Sequence, residues 1–196
     1  MLWIALALLA GVGTGVLLHT DISQADRYLS VALMALVFLI GLGLGSDWKR
    51  IMGIVRRQGF RMLMTPVLTV IGSLAGGVLG GVLCGIVWRT GLVIGSGFGW
   101  YTLSAVIVGD ALGTEMGTLA FLSNIVREVL AIVLIPWITR WAGGAAATAS
   151  AGATATDVCM PVITRSAGPE WAVPAFISGG LLSLLVPVLI PALLSI

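Results

Sequence analysis

Apolar residues run along this chain in five blocks: 2–18, 28–44, 62–87, 116–138 and 171–194. A helix crossing the hydrocarbon layer needs about 17–25 mostly apolar residues, and each block supplies them. Two further segments, 92–108 and 142–165, have a different texture. The first contains Gly95-Ser-Gly-Phe-Gly-Trp-Tyr-Thr-Leu-Ser104, and the second is a run of Gly, Ala, Thr and Ser that reaches Asp157. Small and hydroxylated residues make both poor lipid-facing spans. Non-helical backbone at membrane depth is tolerated where protein or a cavity surrounds it. The pattern therefore predicts an all-α polytopic membrane protein. It has about five transmembrane helices plus two re-entrant or broken helical segments.

Composition sharpens this. The chain of 196 residues is 59% hydrophobic and only 9% charged. Soluble domains carry about 25% charged residues, so no polar surface can cover a globule of this sequence. A soluble enzyme, a nucleic-acid binder and a disordered protein are excluded. The 27 glycines fall partly in helical register: Gly72, Gly76 and Gly80 form one row, Gly77, Gly81 and Gly85 another. Gly11/Gly15 and Gly41/Gly45 repeat the spacing in the first two spans. Gly-x-x-x-Gly marks close helix packing. Cys84 and Cys159 both sit in apolar stretches and read as small hydrophobes, with no metal site.

Charge sets the expected orientation. Lys49, Arg50, Arg56, Arg57 and Arg61 gather between the second and third spans, which makes loop 46–61 cytoplasmic and places the N-terminus inside. If both odd segments re-enter, Arg140 and Arg165 join them, against Arg27 and Arg89 outside. The first odd segment then enters from outside and the second from inside. The chain divides into a three-helix unit, 1–88, and a transport core, 89–196.

Three charges remain within or beside the membrane layer: Arg127, Glu128 and Asp157. A charge at the centre of a spanning helix costs about 2.5–3.5 kcal/mol or more, so each is a functional candidate. Glu128 shares a helical face with Asn124, and Arg127 with Ser123. Asp157 ends the small-residue run, where Thr154 precedes it. In the first odd segment, Trp100 and Tyr101 offer faces to a cation, with Ser104 beside them. The two acids and one base sum to minus one, and a ligand of net charge plus one completes them. A dibasic amino acid is such a ligand, and protons on Glu128 and Asp157 serve when it is absent. The sequence implies no cofactor, no metal, no catalytic residue and no nucleic-acid partner. It has no His-Glu-x-x-His, and Gly109-Asp110 lacks the context of an intramembrane aspartyl protease. A passive cation or amino-acid channel, or a subunit of a heteromeric transporter, stays open beside a transporter.

The chain resembles the LysO (YbjE-like) lysine exporter family. The resemblance rests on Gly95–Ser104, on Phe121 through Arg127-Glu128 to Pro136, on Gly152-Ala-Thr-Ala-Thr-Asp157 with Pro161-Val162, and on the tail Leu182-Ser-Leu-Leu-Val-Pro187. It implies an exporter of L-lysine and its toxic analogue thialysine in the bacterial inner membrane, with the acids at 128 and 157 as the functional pair. Where family members often show Asn-Asp before the Arg-Glu, this chain has Ser123-Asn124. Full-length members look about half as long again, with three more N-terminal spans, so this chain resembles the C-terminal part of a split form. That implies a homodimer or a small three-helix companion.

Overall fold

The computed structural model describes residues 60–195, together with seven isolated positions ahead of them (31, 38, 42, 46, 49, 52 and 53). The predicted span over 2–18, nearly all of the one over 28–44, their glycine pairs and most of basic loop 46–61 lie outside the described residues. Among the described residues all regular structure is helical. Among the described residues, three stretches are long and apolar enough to cross a bilayer: Met64–Leu83, Thr114–Thr156 and Pro169–Leu194.

Helix α1, Phe60–Leu83, carries the glycine rows. It ends in a Schellman closure: Gly85 adopts φ 74°, its N–H donates to Val82 O at 3.1 Å, and the Ile86 N–H reaches back to Gly81 O at 2.8 Å. The left-handed residue reverses the chain. Helix α2, Trp88–Gly95, then returns along α1. The two rows of α1 behave differently. A Cβ on Gly81 would lie 3.0 Å from the Gly91 Cα, and one on Gly77 would strike the Gly91 carbonyl. Backbone touches backbone along this seam, because no side chain intervenes. Around Gly72, Gly76 and Gly80 nothing lies within 4 Å of a Cβ, so that row faces open space.

The first break spans residues 96–100. Here Phe98 holds φ 48° and Gly99 φ 99°, and the Phe98 side chain is fully buried. Helix α3, Tyr101–Leu112, leads out of the break to Gly113. It runs antiparallel to the helix that follows, since a Cβ on Gly117 would meet Gly109 Cα at 2.7 Å. The broken helical segment expected at 92–108 contains this break, flanked by the last turn of α2 and the first two turns of α3. Gly91 and Gly95 look like helix breakers, yet they are helical positions at which only glycine lets α2 touch α1.

Helix α4, Thr114–Ala151, is two helices joined at Gly143, whose φ 79° and ψ 177° are not helical. The chain reverses there, because the second piece, 144–151, packs back along the first. Arg127 reaches the carbonyls of Ala149 and Ser150, which a straight helix would carry about 30 Å away. A second break follows: a 3-10 turn, Gly152–Thr156, then Asp157 at φ −138° and ψ −82°. Helix α5, Met160–Ala167, runs out of it. Pro169–Trp171 forms a further 3-10 turn, and α6, Ala172–Leu194, closes the fold. Trp171 packs directly against Gly144, so both legs of this second hairpin start and finish at one end of α4. Ala131 and Ile135 of α4 join Ala147, Ala151, Ala155, Cys159, Ile163 and Ala175 in one core. The core is built of alanines, and their small side chains let four helical pieces approach at close range.

Candidate functional site

The two breaks meet. The Ala153 N–H donates to Phe98 O at 2.9 Å, a direct backbone bond between the two tips. α4 supports each tip through a different residue of one helical turn. Asn124 holds the first. Its Oδ1 accepts the Gly99 N–H at 2.7 Å, and its Nδ2 donates to Ser104 Oγ at 3.2 Å and to Ala120 O at 2.8 Å. Asn124 and Ser104 are buried, and a Cβ on Gly97 would stand 2.6 Å from the Asn124 amide nitrogen. Burying this amide is stable because its polar atoms are bonded.

Arg127 holds the second tip. Its Nη1 donates to Ser73 Oγ of α1 at 2.7 Å, its Nη2 to Ala149 O at 3.3 Å, and its Nε to Ser150 O at 3.4 Å. The last two carbonyls belong to the final turn of 144–151, where a helix leaves its C=O groups unsatisfied and partly negative. The positive charge of Arg127 is therefore set against a helix end. Thr69 Oγ1 donates to Ala149 O as well, at 3.3 Å.

Glu128 points elsewhere. It is half-buried and Asp157 is exposed, and the two carboxylates lie within electrostatic reach of each other. Among the described residues Glu128 makes no hydrogen bond or ion pair. Asp157 accepts the N–H of its neighbour Val158 at 2.6 Å. Cys159 is fully buried and its Sγ sits 3.2 Å from Thr154 Oγ1. Thr154 also donates to Ala151 O at 2.9 Å. Trp100 is half-buried and forms the entry to α3. Tyr101 stands edge-on to Phe121, with ring centroids 5.5 Å apart.

The eight sequence-predicted site residues thus fall into four groups. Glu128 and Asp157 lie within electrostatic reach of each other. Asn124, Ser104 and Thr154 bond the backbone and side chains of the breaks. Trp100 and Tyr101 begin α3. Arg127 borders a groove of about 640 Å³ between α1 and α4, lined by Gly72, Ser73, Gly76, Ser123, Asn124 and Ser150 among others. Neither acid lines it. Sequence reasoning missed Ser73, Phe98 and the carbonyls of Ala149 and Ser150. A serine inside a glycine-rich span carries no signal, and carbonyl acceptors belong to every residue type.

Long apolar helices with two broken hairpins meeting at their tips, beside an acid with no ion-pair partner among the described residues, define an all-α membrane protein. Comparison with known proteins gives the particular kind. Residues 5–194 match the family model described as lysine exporter LysO, and the chain belongs to that family, one of transporters rather than enzymes. It is 34% identical over 168 residues to lysine exporter LysO of Escherichia coli K12, covering 86% of this chain and 54% of that protein. It is also 34% identical over 161 residues to a putative lysine exporter of Haemophilus influenzae, covering 81% of this chain and 79% of that one. The chain thus spans about half the length of the Escherichia coli relative. No solved structure matches it.

Proposed function

We propose that this chain exports L-lysine, and with it thialysine and other basic amino acids, across the bacterial inner membrane in exchange for protons. The observation that carries the reading is the Glu128–Asp157 pair beside the meeting point of two broken hairpins. Two carboxylates held close together repel each other unless a cation or a proton intervenes. A lysine brings two ammonium groups, and its departure leaves the pair to take up protons. Half-helices that meet near mid-membrane offer one site to alternate sides. The relatives named as lysine exporters support the same cargo.

Energetics favour exchange. Moving a cation out of a negative interior costs about 2.3 kcal/mol per charge per 100 mV. Inward proton movement supplies that energy. In this reading loop 46–61 and the N-terminus are cytoplasmic, the first hairpin opens outward and the second inward. Residues 1–88 form a three-helix repeat unit beside the transport core at 89–196. The working assembly is a homodimer or includes a small three-helix companion.

The test is efflux of labelled lysine from proteoliposomes containing the full chain. Glu128→Gln and Asp157→Asn are each expected to reduce the rate by about tenfold or more, since a removed charge forfeits a charge-assisted contact. Full export by both variants sinks the proposal. Lysine flux indifferent to an imposed pH gradient identifies a passive channel instead.

A further inference from the structure

We infer that Arg127 is a positioning residue for the second hairpin rather than a ligand for cargo, and that Ser73 of α1 aligns it. This rests on the transport reading above but concerns how the site is assembled. Three N–H groups of Arg127 are fixed to Ser73 Oγ, Ala149 O and Ser150 O. Only one of those partners is a side chain. The carbonyls belong to the last turn of 144–151, immediately before the break that carries Asp157.

The fit continues past that turn. A Cβ on Gly152 would lie 2.8 Å from Arg127 Nη2 and would collide with the Phe98 carbonyl. The guanidinium is thus packed against the peptide of Gly152, whose φ of 67° already requires glycine. Five residues later comes Asp157. The guanidinium therefore fixes where the second break begins, and so where its acid stands. A cation at a helix C-terminus is stabilised by the macrodipole, which gives Arg127 its counter-charge without either carboxylate. Glu128 and Asp157 consequently stay available for cargo and protons. Ser73 supplies the shortest of the three bonds, at 2.7 Å. Through it α1, which contributes no acid, takes part in placing the acid pair.

Cys159 is a native reporter of this order, because it is buried in the same break, whereas Cys84 is exposed. In the full chain carrying Cys84→Ser, maleimide modification of Cys159 is expected to be slow. Ser73→Ala and Arg127→Lys should each accelerate it about tenfold, because a hydrogen bond to a charged group is lost. Ser73→Thr, which keeps the hydroxyl, should leave it unchanged. In proteoliposomes, Ser73→Ala should lower the maximal lysine export rate while KM stays within about twofold, and Ser73→Thr should restore the rate. Two results overturn the assignment: Cys159 equally protected in every variant, or a raised KM at unchanged maximal rate. Failure of the parent protein to move lysine removes the transport reading instead, and the Cys159 rates then decide the positioning role alone.

Discussion

Arg127 and Glu128 are neighbours in sequence with separate duties, because adjacent helical residues diverge by about 100°. One side chain is bound to a helix end, and the other is left within electrostatic reach of Asp157. The residue that separates these duties is Gly152, which meets the guanidinium and the first hairpin's tip at once. Gly152→Ala would place a methyl 2.8 Å from Arg127 Nη2 and against Phe98 O, at a φ of 67°. A strained backbone of this kind costs about 1–3 kcal/mol, and the collision adds to it. Lysine export by Gly152→Ala is expected to fall to background, with a lowered melting temperature in detergent. Retention of both would show that the tips have room the structure does not reveal. The charges themselves were legible in the sequence, since an ionised residue in an apolar run is conspicuous. Their partners were not, because Arg127 bonds to two main-chain carbonyls that no side-chain pattern announces.

Glycines with the same four-residue spacing take opposite roles on a single helix. Gly77 and Gly81 of α1 touch the backbone of α2, while Gly72, Gly76 and Gly80 face open space. Substitutions should separate the rows. Gly91→Ala drives a methyl into the Gly77 carbonyl and is expected to destabilise the α1–α2 hairpin. Gly76→Ala meets no atom within 4 Å and should be neutral or stabilising by about 0.5–1 kcal/mol, as for glycine-to-alanine changes within helices. Thermal unfolding of the two variants in one detergent measures the contrast, and equal losses would contradict it. Periodicity could reveal that glycines form rows, but not which row is in contact. The breaks were easier to read, because Gly95–Ser104 and Gly152–Asp157 depart from the apolar pattern. Their edges were less so. Residues 144–151 form regular helix despite a Gly-Ala-Thr-Ser composition, because alanine is a strong helix former and the alanine face packs on Ala131 and Ile135.

For the molecule as a whole, the arrangement puts each hairpin under control of a different residue on α4, Asn124 for the first and Arg127 for the second. The bond from Ala153 N–H to Phe98 O joins them. Motion of one hairpin relative to the other must break or remake that bond. If protons drive export, acidifying the outside should accelerate lysine efflux from cells, and dissipating the gradient with a protonophore should slow it. Asp157→Asn should abolish the response to external acid, with labelled lysine efflux as the measure. An unaltered acid response in that variant would assign coupling to another group.

The reversal at Gly143 also bears on how the protein enters the membrane. No polar loop separates 114–142 from 144–151, and the returning leg has little apolar surface of its own. Leucine, isoleucine, phenylalanine and valine favour insertion by about 0.3–0.6 kcal/mol each at a helix centre, and 144–157 contains none of them. This stretch cannot partition into lipid by hydrophobicity. It is held in place by folding against Ala131 and Ile135 of the 114–142 piece, with Ala175 of α6 completing the enclosure. Biogenesis of the second hairpin is thus a packing event rather than an insertion event, and the position of its acid is set by the protein it packs against.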